Sequence, residues 1–189
     1  MTSIAGLVLA AGFATRFGSD KRRALLKNGS TLLDSSLATV NVYLPSTWVV
    51  LRPSDDADTL GIAPLLNIVR SESAELGLGH SLASGIEAIT RSSDADAVAI
   101  FLGDMPWIAG DSLEQLFAVA ASDRIVQPVY DGQPGHPVVF GRQFWPELLQ
   151  LCGDEGARSV LQAHPEAVRR IKVDDPGVIQ DVDTPDALR

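Results

Sequence analysis

The sequence predicts an α/β protein: a mostly parallel central sheet with helices on both faces, in three α/β/α layers. Three observations carry this. Short apolar, β-branched runs of strand length alternate with amphipathic stretches of helical spacing. Two of the runs, IAGLVL (Ile4–Leu9) and AVAIFL (Ala97–Leu102), are apolar throughout, as strands buried on both faces are. Strands that alternate with helices are joined by right-handed crossovers, which make neighbouring strands parallel.

Taken in order, Ile4–Leu9 is the first strand and ends at the small residues Ala10, Ala11 and Gly12. LLDSSLATVNVYL (Leu32–Leu44) has helical spacing, and WVVL (Trp48–Leu51) and LNIV (Leu66–Val69) follow as strands. HSLASGIEAITR (His80–Arg91) is a second helix, and Ala97–Leu102 the next strand. DSLEQLFAVAAS (Asp111–Ser122) is a third helix, with Asp111 as N-cap and Glu114 completing a capping box. IVQPVY (Ile125–Tyr130) and PVVF (Pro137–Phe140) are further strands. After residue 130 the pattern loosens: WPELLQLCGDEGARSVLQ reads as two helical pieces split by Gly153, and this half is expected to form a lid or wall. In DVDTP, Asp181 and Asp183 lie two apart, so an extended segment turns both to one side; Thr184 and Pro185 then read as N-cap and first helical residue.

A chain of 189 residues buries about 70% of its extended surface, enough for one core, so residues 1–189 are expected to form a single domain. A net charge of −9 and a pI near 4.7 argue against nucleic-acid binding, so any anion must meet a local cationic site. One cysteine, Cys152, allows no internal disulfide and is read as packing; with no sign of an oxidising compartment, the cytoplasm is expected. The N-terminus lacks a basic lead and its apolar run is shorter than the roughly 20 residues a bilayer requires, so neither an export signal nor a membrane segment is expected.

In open parallel sheets, ligands lie beyond the carboxyl ends of the strands, and both LAAG and FLGDMP occupy that edge. Just after LAAG the acidic chain concentrates Arg16, Lys21, Arg22, Arg23 and Lys27. No Walker A loop is present, because five residues separate Gly12 from Gly18 and Ser19 follows; GxGxxG fails as well, because Phe13 and Ala14 follow Gly12. What remains is a strand end where minimal side chains admit a planar base to the backbone, followed by Arg16 and Lys21, a forked donor and a point charge suited to polyphosphate. The spacing fits an ordinary loop with solvated cations equally well. Asp104, immediately beyond a buried strand, is either a ligand for Mg²⁺ or a turn-forming aspartate ahead of Pro106. Asp183 similarly has a helix-dipole reading. No nucleophile constellation appears, since Cys152 has no neighbouring base and His80, His136 and His164 are dispersed.

LAAGxxxRxGxxK here resembles the signature of the MobA-like nucleotidyltransferases, the group that includes molybdenum cofactor cytidylyltransferase and molybdopterin-guanine dinucleotide synthase. LGLGHSLASGI, LGDMP, PGHPVVF, GDEGAR and DVDTPDAL follow in family order, so the resemblance covers nearly the whole chain. It implies a Rossmann-like nucleotidyltransferase fold and transfer of a nucleoside monophosphate to a phosphorylated acceptor such as molybdopterin cofactor, releasing pyrophosphate, with Mg²⁺ as cofactor; the alternatives are a sugar-phosphate or other small-phosphate nucleotidyltransferase and a catalytically silent nucleotide-binding regulator. It places Leu9, Ala10, Ala11, Gly12, Arg16 and Lys21 at the base and phosphates, and Gly77, Gly79 and Ser81 near base and ribose. Asp104 and Asp183 would hold the metal with Asp181 nearby, and His136 would line the acceptor side. Cytidylyl members tend to carry LAAG and guanylyl members LAGG; the methyl of Ala11 narrows the base slot and favours CTP over GTP. Guanylyl relatives also tend to have Asn in the pair filled here by Asp181 and Asp183. The chain departs from the family where RRALLKNG replaces a proline-containing stretch, and Arg22 and Arg23 there are expected either to bind a more anionic acceptor or to be solvated.

Overall fold

The computed structural model describes residues 2–13, 17, 19–184 and 187–188 of the chain. Strand β1 (Ile4–Leu9) lies inside an eight-stranded sheet and is buried from Ala5 onward. A strand in that place needs apolar side chains on both faces, which its unbroken apolar run supplies. It pairs in parallel with β2 (Thr47–Leu51) on one side and β4 (Ala97–Leu102) on the other. Strand β3 (Asn67–Arg70) adds in parallel to the outer edge of β2. Beyond β4 comes the antiparallel β7 (Val138–Gly141), then β5 (Ile125–Tyr130), which also pairs with the two-residue β6 (Gln133–Pro134) and, in parallel, with β8 (Val168–Lys172).

The period-2 alternation of β1 and β4 divides the core between the two faces of the sheet. Val8, Ala99 and Phe101 face helices α1 (Leu32–Tyr43) and α3 (Gly110–Ala118), where Leu33, Leu37, Leu113 and Leu116 meet them. Leu7, Leu9, Val98 and Ile100 face α2 (Leu78–Ser92), with Leu82, Ile86 and Ile89, and the short α4 (Trp145–Leu148) and α5 (Arg158–Ala163). Helix α2 lies close over the sheet because it presents Gly85 there: a Cβ at that position would stand 2.6 Å from Cδ1 of Leu7.

The three-layer, mostly parallel architecture is the expected one, and four details differ. Helix α3 begins at Gly110 with Ala109 as its cap and no side-chain capping bond, so Asp111 is not the N-cap. Asp175 takes that office from a distance: its Oδ2 accepts from the N–H of Ala109 at 2.9 Å and its Oδ1 from the N–H of Gly177 at 2.8 Å. Strand β8 was hidden in VRRIK, which lacks an apolar run because it lies at a margin with Arg169 and Arg170 exposed. The half beyond residue 130 is no separate lid, since β6, β7 and β8 build into the sheet, although its Asp154 and Asp183 do contribute to the wall of a cavity. Finally, 181–183 forms no strand; Val182 is fully buried between two exposed aspartates, and the predicted helix start at Pro185 lies outside the described residues. Among the described residues no helix is long and apolar enough to cross a membrane.

Candidate active site

The register sets the carboxyl ends of β1, β2 and β4 level, with Leu9 opposite both Val50 and Leu102. The loops that follow, 10–13, 52–55 and 103–106, therefore meet at one edge. A cavity of about 550 Å³ opens there, walled by the residues from Leu9 to Phe13, by Lys21, Gly103, Asp104 and Asp183, and by Gly77, Leu78 and Ser81 at the start of α2.

Lys21 and Asp104, 83 residues apart in sequence, are in contact. The Lys21 ammonium donates to Asp104 Oδ2 at 2.6 Å, to Asp183 Oδ1 at 3.3 Å and to the carbonyl of Val182 at 3.2 Å. Burial pulls the lysine pKa down, but Asp104 and Asp183 outweigh it, so the group lies above its ordinary value and is charged at neutral pH. The tail that brings Asp183 here is tied in by the N–H of Val182, which donates to the carbonyl of Asp104 at 3.0 Å. The N–H of His136 donates to the carbonyl of Val178 in the same tail at 2.7 Å.

Asp104, Asp181 and Asp183 each offer a carboxylate oxygen within 4.8 Å of the others. Burial, then Asp183 and Asp104, push the Asp181 carboxyl above the usual range, the cost of crowding like charges. The second oxygen of Asp104, Oδ1, is buried with no hydrogen-bond partner among the described residues. An oxygen-only donor set holding one desolvated, unsatisfied carboxylate oxygen fits a hard divalent cation. The charge of the cavity argues the same way: Glu75, Asp104, Asp154 and Asp183 line it against Lys21 and Arg22 among the described residues, an excess that a polyphosphate could join only with a cation.

Arg22 is where the structure departs furthest from expectation. It is neither solvated nor free for an acceptor, but 6% exposed with all five N–H donors engaged. Its Nε and Nη2 meet Asp20 at 2.8 and 2.6 Å, Nη1 and Nη2 meet Asp55 at 2.5 and 2.8 Å, and Nη1 also donates to the carbonyl of Ala10 at 2.8 Å. The 3-10 turn Lys21–Arg23 is thereby pinned to the end of β1, which fixes where Lys21 points. Arg23 is exposed, as the solvated reading expects.

A second arginine continues the row. Arg52 donates from Nε to the carbonyl of Ala11 at 3.3 Å and from Nη2 to the carbonyl of Gly12. Three consecutive carbonyls, from Ala10 to Gly12, are thus held by guanidinium groups. In a trans peptide the N–H points opposite to the C=O, so the amides of Ala11, Gly12 and Phe13 face away from the arginines, and none donates to another described residue.

Of the residues expected at the site, Leu9, Ala10, Ala11, Gly12, Lys21, Gly77, Ser81, Asp104 and Asp183 come together around the cavity. Arg16 lies outside the described residues. Gly79 is not in the wall: a Cβ there would stand 2.8 Å from the backbone of Cys152, and its N–H donates to the carbonyl of Gly153 at 2.8 Å. Its place is to let the turn at 152–154 dock on α2, a contact made by the backbone of Cys152 while the residue itself is exposed rather than packed. His136 is also absent from the wall; burial holds its imidazole below the ordinary value, and its Nδ1 has no partner among the described residues. Sequence reasoning missed Arg52, Asp55 and Asp154. The first two sit in LRPSDD, directly beyond buried β2, so the strand-end rule that found Asp104 could have found them.

Residues 6–168 match the family model described as the MobA-like NTP transferase domain. The chain is 30% identical to purine catabolism protein PucB of Bacillus subtilis, across 96% of this chain and 92% of that one. To molybdenum cofactor cytidylyltransferase of Escherichia coli it is 22% identical, across 98% and 94%. Among solved structures, the homologue of Mycobacterium tuberculosis Rv0371c from Mycobacterium sp. strain JC1 superposes with a TM-score of 0.83 at 32% identity, over 97% of this chain and 92% of that one. Rv0371c itself, solved in complex with manganese, superposes at 0.78 with 27% identity, over 98% and 96%.

Proposed function

The chain belongs to the MobA-like NTP transferase family and is a nucleotidyltransferase, and on that premise we propose that it transfers CMP from CTP to the phosphate of a molybdopterin-type cofactor, releasing pyrophosphate. The meeting of Lys21 with Asp104 and Asp183, beside an unpartnered carboxylate oxygen, carries this reading. Residues 1–189 act as one nucleotidyltransferase domain, with the cytoplasm as its place of work.

Asp104 and Asp183, with Asp181 beside them, would hold Mg²⁺, which when bound supplies positive charge against the phosphate oxygens. Arg16 meets phosphate oxygens with its forked donor. Lys21 offsets charge on the departing pyrophosphate. An acceptor phosphate oxygen bonds to the α-phosphorus, the bond from that phosphorus to the oxygen bridging to the β-phosphate breaks, and the electron pair leaves with pyrophosphate. No covalent enzyme intermediate is needed, because a phosphomonoester is already a nucleophile near neutral pH; positioning and charge compensation supply the catalysis. Gly77 and Ser81 approach the nucleoside. Ala11, 1% exposed, sets a methyl where guanylyl relatives tend to have hydrogen, which supports CTP. The 22% identity to a protein named for the cytidylyl reaction supports the acceptor.

The test is pyrophosphate release with CTP, GTP, ATP or UTP against molybdopterin cofactor and a panel of sugar phosphates, with Mg²⁺. Turnover with CTP and the molybdopterin cofactor is expected. Turnover with a sugar phosphate in its place would reassign the acceptor, and preference for GTP would overturn the reading of Ala11.

A further inference from the structure

Phe13 has no task in the reading above, yet it lines the cavity with 55% of its surface exposed. One face of its ring is covered: the Arg52 guanidinium carbon stands 4.3 Å from the ring centroid. Arg52 is itself fixed by the carbonyls of Ala11 and Gly12, and its backbone N–H donates to Asp55 Oδ2 at 2.8 Å. The ring is thus backed by a planar cation that is anchored to the backbone on which the ring hangs. A large aromatic surface left in water is unfavourable at about 25 cal/mol per Å², so a ligand that covers it gains affinity.

The cavity offers both kinds of surface: apolar side chains from Ala11, Phe13, Ala74 and Leu78, with Glu75 and Asp154 among them, and the contacting charges of Lys21, Asp104 and Asp183. A nucleoside triphosphate needs both, for its flat heteroaromatic ring and for its charge. We propose that Phe13 is the platform on which the nucleobase stacks and that Arg52 positions it. This rests on the nucleotide reading of the same cavity. Every base has a π-face, so the platform contributes affinity without choosing between bases, and selection stays with the strand end at Ala10 to Gly12.

The experiment titrates the full-length protein calorimetrically with CTP and with inorganic tripolyphosphate, each with Mg²⁺, and compares Phe13→Ala, Phe13→Trp and Arg52→Met. Phe13→Ala should weaken CTP about 5- to 150-fold and leave tripolyphosphate unchanged. Phe13→Trp should bind CTP at least as well as the parent, and Arg52→Met should show a smaller loss of CTP affinity than Phe13→Ala. In turnover, Phe13→Ala should raise the KM for CTP and not that for the acceptor. Equal loss of CTP and tripolyphosphate, unchanged CTP binding, or a rise confined to the acceptor KM would each overturn the platform while leaving the nucleotide site in place. Failure of the parent protein to bind either ligand would instead remove the nucleotide reading, and the platform with it.

Discussion

Lys21 and Arg22 are neighbours with opposite fates, and substitution separates them. Charge-assisted hydrogen bonds are worth about 1.5–3 kcal/mol, so Lys21→Ala should lower kcat/KM roughly 10- to 150-fold with little change in melting temperature. Arg22→Met should act on stability first. It strands two carboxylates and the carbonyl of Ala10, a loss of about 3–5 kcal/mol, toward the low end because Asp20 is 31% exposed, or roughly 6–20 °C in Tm. Arg22 also holds the Asp20 and Asp55 carboxyls below the usual range, the latter against the cost of its burial. A carboxylate depressed in the folded state contributes stability above its unfolded pKa, about 3.9, and loses it as pH falls through the folded value. Parent stability should therefore drop below about pH 4, and Arg22→Met should flatten that acid limb in urea titrations. The sequence showed a cluster of cations but not which of them folds inward, since its partners Asp20 and Asp55 flank a turn and a distant strand and share no motif.

Among the elements, the α3 entry shows where local pattern and tertiary structure part. DSLE has the form of a capping box, yet Asp175 does the capping across 66 residues. Asp175→Ala should therefore cost about 1–3 kcal/mol, because it leaves the N–H groups of Ala109 and Gly177 without their acceptor, whereas Asp111→Ala should change Tm by no more than about a degree. The same substitution loosens the segment that runs on to Asp183, so Asp175→Ala should also weaken divalent-metal binding, which a purely helical defect would not. Strands β1, β2, β4 and β7 were legible because burial on both faces demands apolar, β-branched runs; β8 was not, because its cationic residues face water. The tail at 181–183 was half legible. Its two acids do lie on one side of buried Val182, but it docks on the carbonyl of Asp104 instead of forming a strand.

At the scale of the whole molecule, a net charge of −9 surrounds the site proposed for a triphosphate, and a cation held by the carboxylate cluster would offset the repulsion. The Asp181 carboxyl, raised by burial and by Asp183 and Asp104, keeps its proton at a higher pH than an ordinary aspartate does, and metal binding must displace that proton. Thermal stabilisation by Mg²⁺ with CTP should accordingly fall as pH is lowered through the Asp181 titration, and should reach about 2.7 kcal/mol when free ligand is 100 times its Kd. The central claim is that Lys21 and the carboxylates of Asp104 and Asp183 make one site for a metal-bound triphosphate. It is tested most directly by titrating Mn²⁺, read by its electron-spin resonance, into the parent and into Asp104→Asn and Asp183→Asn, with and without CTP. The account predicts tight Mn²⁺ binding that depends on CTP in the parent and is lost in Asp104→Asn. CTP binding that is equally strong in the presence of a chelator, or Mn²⁺ binding that survives both substitutions, would contradict it.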